Sequence, residues 1–158
     1  MRKYGNLLII DDELDLGEIL VDLFQPHFEK VIYCSDSTEA IGVTKSIELS
    51  AIITDVNMPN LPGDQFVRKI RSAGDLTPIV FLTGEASKEL VLTALRLGVS
   101  DVFEKPFDDN FLVHRLDRIL EIEKRRRNLF SQTNKEKVST EKKLLGLLHV
   151  ISESKKVS

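Results

Sequence analysis

Five short, almost continuous apolar runs, each followed by a stretch of helical periodicity, set the main limit on what this chain can fold into. They cover residues 7–10, 31–33, 51–54, 79–83 and 101–104. The first four are rich in Ile, Leu, Val or Phe and bounded by polar residues. They read as strands buried on both faces of a parallel sheet. The fifth, Asp-Val-Phe-Glu, is weaker. Between the runs, Leu16, Ile19, Leu20 and Leu23 form a stripe that Pro26 ends. Ala40, Val43 and Ile47 follow a capping-box pattern, Asp36-x-x-Glu39. Phe66, Val67 and Ile70 follow Pro62-Gly63-Asp64. Leu90, Val91, Ala94 and Leu95 precede Gly98, a suitable C-cap. Phe111, Leu112, Leu116, Ile119 and Leu120 make the fifth stripe. Strict β-α alternation repeated five times predicts an α/β fold, a doubly wound parallel sheet with helices on both faces.

Such sheets bind ligands beyond the carboxyl ends of their strands. Asp11, Asp12 and Glu13 follow the first run, Asp55 follows the third, Thr83 ends the fourth, and Lys105-Pro106 follow the fifth. Each alone has an ordinary reading as a cap, turn, strand or solvated residue. Together they crowd carboxylates onto one sheet edge, where their repulsion calls for a cation. Oxygen donors favour a hard ion such as Mg²⁺, with Mn²⁺ as the alternative. Lys105 supplies a point charge suited to phosphate, and Thr83 a hydroxyl. This set describes phosphoryl transfer to an aspartate, giving an acyl phosphate.

Four motifs carry a family resemblance: Ile9-Ile10-Asp11-Asp12-Glu13; Thr54-Asp55-Val56-Asn57-Met58-Pro59 with Pro62-Gly63; Phe81-Leu82-Thr83-Gly84; and Glu104-Lys105-Pro106-Phe107. In this order and spacing the chain resembles a response-regulator receiver domain from about Tyr4 to Lys124. The resemblance implies a flavodoxin-like, five-stranded sheet of order 2-1-3-4-5. It implies Asp55 as phosphoacceptor and Mg²⁺ held by Asp12, by Asp11 mainly through water, by Asp55 and by the Asn57 backbone carbonyl. Thr83 would bond the phosphoryl oxygen, and Lys105 would pair first with Asp55 and then with the phosphoryl group. A cis Lys105–Pro106 bond would aim that lysine. Asn57 and Glu85 stand where the family tunes dephosphorylation. One departure is Val102, three residues before the lysine, where the family often has a switch aromatic. Phe103 cannot replace it, because strand alternation sends it to the other face. The expected output therefore rests on Thr83 and residues 84–87, with Val102 allowing smaller repacking.

Composition narrows the setting. The hydrophobic set is 42% and charged residues are 30% of 158 residues, which excludes a wholly disordered chain. No apolar run approaches the ~18 residues of a membrane helix, so integral membrane association is not expected. The N-terminus does not have the pattern of a signal peptide. A single cysteine, Cys34, cannot form an internal disulfide, and a reducing cytoplasm fits best. Residues 1–123 hold 12 Lys/Arg and 22 Asp/Glu, a charge of −10, whereas residues 124–158 hold 10 and 3, a charge of +7. The acidic body argues against DNA binding.

The expected organisation is a receiver over residues 1–123 and a basic linker with a short amphipathic helical extension over 124–158. Residues 131–140 read as a polar linker. Leu144, Leu148 and Ile151 share a helical face beyond it, and a long coiled coil is not supported. The implied partners are a sensor histidine kinase or histidine phosphotransfer protein and a downstream protein target. A homodimer through the fourth-helix, fifth-strand, fifth-helix face or through the extension is a further option. Four alternatives stand beside this reading. An aspartyl-nucleophile phosphatase would want a second acid two residues after the nucleophile, a spacing that Asp11 and Glu13 match superficially. A nucleotide-binding module lacks its glycine motifs. A phosphorylation-independent scaffold and a fragment of a longer regulator also fit the sequence.

Overall fold

The chain alternates strand and helix throughout: β1 (Tyr4–Ile10), α1 (Leu14–Phe24), β2 (Phe28–Cys34), α2 (Ser37–Ser46), β3 (Leu49–Asp55), α3 (Gly63–Ser72), β4 (Ile79–Thr83), α4 (Lys88–Arg96), β5 (Asp101–Glu104) and α5 (Asp109–Ser154). This computed structural model describes the backbone of residues 4–154 and the side chains of residues 4–148. The sheet is wholly parallel, with order β2-β1-β3-β4-β5. The doubly wound, flavodoxin-like architecture expected from the alternation and the resemblance is the one observed.

Two apolar layers sandwich the sheet. On one face Leu8, Ile10, Ile52 and Phe81 pack with Phe66, Val67 and Ile70 of α3 and with Ala94 of α4. On the other, Leu7, Ile9, Ile53 and Leu82 pack with Leu20 and Phe24 of α1 and with Leu112, Leu116 and Leu120 of α5. Alternate residues of one strand thus serve opposite layers, which is why the runs lack polar alternation. Val102 joins the first layer and Phe103 the second.

Two helical stripes differ from expectation. In α1 the buried face is Gly17, Leu20 and Phe24, while Ile19 is 53% exposed. Leu16 and Leu23 pack against the core as expected, so Ile19 is the one departure from the stripe, and Gly17 lies against the Tyr33 ring. In α4 only Ala94 is fully buried, and Val91 and Leu95 face outward. The turn after α4 fits its sequence. Gly98 has φ +66°, and hydrogen bonds from Val99 N–H to the Ala94 carbonyl and from Gly98 N–H to the Leu95 carbonyl close it.

The chain divides into two compact units between Leu120 and Glu121. The second is helical through Ser154, and residues 155–158 of the expected extension lie outside the described residues. Residues 131–140, expected as a linker, are helical instead. Polarity does not distinguish a linker from a solvated helix: the stretch contains neither Pro nor Gly, and its Lys, Glu and Gln are good helix formers. Leu129, Phe130, Leu144, Leu145, Leu147 and Leu148 are exposed in this unit. The side chain of Ile151 lies outside the described residues.

Candidate functional site

The parallel sheet sends β1, β3, β4 and β5 toward one rim. Strand pairing aligns Ile10 with Thr54, Asp55 with Leu82, and Thr83 with Glu104. The residues immediately beyond those positions therefore meet. Asp11 is fully buried, Asp55 is 4% exposed, and Asp12 is exposed. One carboxylate oxygen from each lies within 4.8 Å of the others. A set made only of carboxylate oxygens suits a hard divalent ion such as Mg²⁺.

Lys105 reaches the same point from β5. Its Nζ lies 3.0 Å from Asp11 Oδ2, 3.1 Å from Glu13 Oε1 and 3.5 Å from Asp55 Oδ1. The Lys105–Pro106 peptide is cis, as the resemblance implied. Burial disfavours the ammonium, but the hydrogen bond and charge of Asp11, with Glu13 and Asp55, outweigh it and raise the Lys105 pKa above 10.5. Asp11 moves the other way in charge preference. Its burial outweighs the hydrogen bond from Glu13 N–H and the pull of Lys105, and Asp55 adds repulsion, so its pKa rises above 3.8.

The two shifts act at opposite ends of the pH scale. A raised acid pKa means that ionising Asp11 costs folding stability. Its contribution is full below 3.8 and is lost as pH rises through the folded value. The contribution of Lys105 holds below 10.5 and is lost only above it. In chelator-treated protein, the parent should therefore lose stability between acid and neutral pH more steeply than Asp11→Asn does. Parallel thermal melts of the two proteins measure this, and equal slopes would refute the burial argument.

Backbone and neighbours fix the trio. The Asp11 carbonyl accepts the Tyr33 hydroxyl at 2.6 Å, and Asp11 Oδ1 accepts the Glu13 N–H at 2.9 Å. Tyr33 can sit there because Gly17 has no side chain: a Cβ would lie 2.3 Å from the ring. Gly63 meets the end of β3 so closely that a Cβ would fall 2.4 Å from the Asp55 carbonyl oxygen. The loop after Asp55 is anchored by buried Met58 and Leu61 and by a hydrogen bond from Asn60 Nδ2 to Asp36 Oδ2.

Thr83 is 1% exposed at the end of β4. Its hydroxyl donates to the Glu85 carbonyl at 2.9 Å and accepts the Glu85 N–H at 3.2 Å. Asn57 and Glu85 are exposed, and Val102 is half-buried. Reading along the sequence had not paired Glu13 with Lys105, or Tyr33 and Gly17 with Asp11. A glycine inside an apolar helical stripe was the one available signal for the latter.

Buried acids, a lysine and a hydroxyl thus meet at the carboxyl rim of a doubly wound parallel sheet. A model of the response regulator receiver domain matches residues 7–117, and the chain belongs to that family. It is 29% identical over 124 residues to chemotaxis protein CheY-3 of Vibrio cholerae, covering 77% of this chain and 95% of that protein. It is 32% identical over 120 residues to hybrid signal transduction histidine kinase D of Dictyostelium discoideum, covering 75% of this chain but 8% of the kinase. It spans 52% of the transcriptional regulatory protein YbdJ of Bacillus subtilis. The solved structure of Vibrio cholerae CheY4 at low pH matches with a TM-score of 0.68 at 29% identity, over 72% of this chain and 97% of that one. Receiver domains are signalling proteins that interact with histidine kinases or phosphotransfer proteins, and they generally bind Mg²⁺ at their acidic pocket.

Proposed function

We propose that this chain is a phosphorylation-activated switch of a two-component phosphorelay, working in the cytoplasm. A sensor histidine kinase or histidine phosphotransfer protein presents a phosphohistidine. An Asp55 carboxylate oxygen attacks the phosphorus, the P–N bond breaks, and the imidazole leaves with the bond's electrons. Asp11, Asp12, Asp55 and the Asn57 carbonyl would hold Mg²⁺ (or Mn²⁺), which supplies positive charge against the phosphoryl oxygens. Lys105 binds those oxygens from the β5 side, and Thr83 exchanges its bonds to Glu85 for one to the phosphoryl group. Asn57 and Glu85 tune access of water. The carrying observation is the meeting of three carboxylates and Lys105 at one rim. Intact mass after incubation with acetyl phosphate tests it: a phosphoryl adduct should form with Mg²⁺ and be absent with a chelator.

Output would run through protein contacts. A groove of about 370 Å³ opens beside β5, lined by Phe103, Phe107 and Phe111 together with Glu104, Asp108 and Arg115. This groove, or separately the exposed Val91 and Leu95 of α4, would receive a downstream protein or a second copy. The extension over residues 124–158 would serve as a separate contact element, including a homodimer contact. Val102 leaves the aromatic half of the switch missing, so signalling relies on Thr83 and residues 84–87. Val102→Tyr should enlarge the beryllofluoride-induced amide shifts over α4 relative to the parent. Equal shifts would mean that the missing aromatic does not matter.

A further inference from the structure

The acid after the metal pair does not do what its position in the helix calls for. Glu13 is the N-cap residue of α1, with extended backbone angles (φ −82°, ψ 99°), yet its side chain makes no capping hydrogen bond. Ser, Thr, Asp and Asn are the residues that cap well there, and glutamate is not among them. α2 and α4 follow the rule: Asp36 accepts from Thr38 N–H and Ser87 from Leu90 N–H. At α1 the carboxylate turns instead to the site, where Glu13 Oε1 lies 3.1 Å from Lys105 Nζ.

We propose that Glu13 is a positioning residue for the reaction at Asp55, a latch that holds Lys105 back from the phosphoryl position. The inference rests on the phosphoacceptor reading above. Lys105 Nζ has three carboxylate neighbours. Asp11 and Asp55 belong to the set that would face the cation. Glu13 stands outside it, with its side chain 65% exposed, while that of Lys105 is 17% exposed. Once a cation engages Asp11 and Asp55, Glu13 is the remaining carboxylate competing with an incoming phosphoryl oxygen for the ammonium. An exposed ion pair is a weak competitor, so the latch sets the balance and does not block the reaction. Length is essential. Glutamate reaches Lys105 from the N-cap, whereas aspartate is one methylene shorter and suited to capping α1 instead.

Beryllofluoride titration in magnesium, on the full chain, tests this with three variants. Glu13→Gln removes the charge, Glu13→Asp keeps it but withdraws the reach, and Glu13→Ser installs a good cap. All three should bind the phosphoryl mimic roughly two- to fivefold tighter than the parent, the scale of one exposed ion pair. In metal-free protein, the Lys105 Nζ NMR resonance should shift in all three. Parent-like affinity in Glu13→Asp would overturn the latch and leave only the general field of one extra charge. An unmoved Lys105 resonance in Glu13→Gln would overturn it too. If the parent itself fails to bind beryllofluoride with magnesium, the phosphoacceptor reading falls and the latch with it; binding by the parent with parent-like affinity in the variants overturns the latch alone.

Discussion

Asp55→Asn should reduce phosphoryl incorporation from acetyl phosphate to background while leaving the fold intact. An amide oxygen is a poor nucleophile and cannot form the acyl phosphate. The residue is 4% exposed at the end of β3, next to buried Asp11, so the exchange also removes a like charge from the pocket. The metal-free variant should therefore melt no lower than the parent, which separates lost chemistry from lost structure. Its magnesium affinity should fall, because one of three converging carboxylates is gone. Intact mass, thermal melts and a magnesium titration report the three effects. Persistent phosphorylation of the variant would put the acceptor elsewhere and end the proposed mechanism.

Gly63→Ala should be the most damaging small substitution near the site. The added Cβ would lie 2.4 Å from the Asp55 carbonyl oxygen, 3.0 Å from Val56 Cα and 3.2 Å from the Asp55 carbonyl carbon. All three are backbone atoms, so no rotamer change relieves the conflict, and either α3 or the end of β3 must move. The Gly63 N–H also donates to the Val56 carbonyl at 2.9 Å, a bond such movement would strain. Overpacking of this kind costs about 1–3 kcal/mol. At about 2–4 °C per kcal/mol for a chain of this size, the melting temperature should drop by several degrees. Beryllofluoride affinity should fall with it, because Asp55 moves with the strand end. Gly42→Ala is the control. It lies within α2 with nothing inside 4 Å of its Cβ, so it should stabilise by about 0.5–1 kcal/mol. A neutral Gly63→Ala would mean that α3 yields freely.

The chain's own order of residues determined more of this molecule than its size suggests. Runs buried on both faces, alternating with 3.6-residue stripes, leave few architectures open, and the chemistry-bearing residues all fall just after those runs. Asp11, Asp12, Asp55, Thr83 and Lys105 could thus be singled out together, because a parallel sheet brings every strand's carboxyl end to one rim. Helix faces were less legible. Apolar spacing puts Ile19 inward, because it does not register that a glycine, here Gly17, can seat an aromatic ring from the neighbouring strand. The helical character of residues 131–140 was hidden by polarity, since a polar surface helix and a polar linker share a composition.

Three-dimensional packing alone decided the finer points. Glu13 could be seen beside the acidic pair, but not that its carboxylate forgoes the helix cap for a lysine 92 positions away. Gly63 could be seen after a proline, but not that the Asp55 backbone needs its empty face. Pattern reports which side of an element is apolar. Distances between atoms far apart in the chain arise only when strands pair and helices settle on them, and those distances set charge, reach and steric room at the pocket.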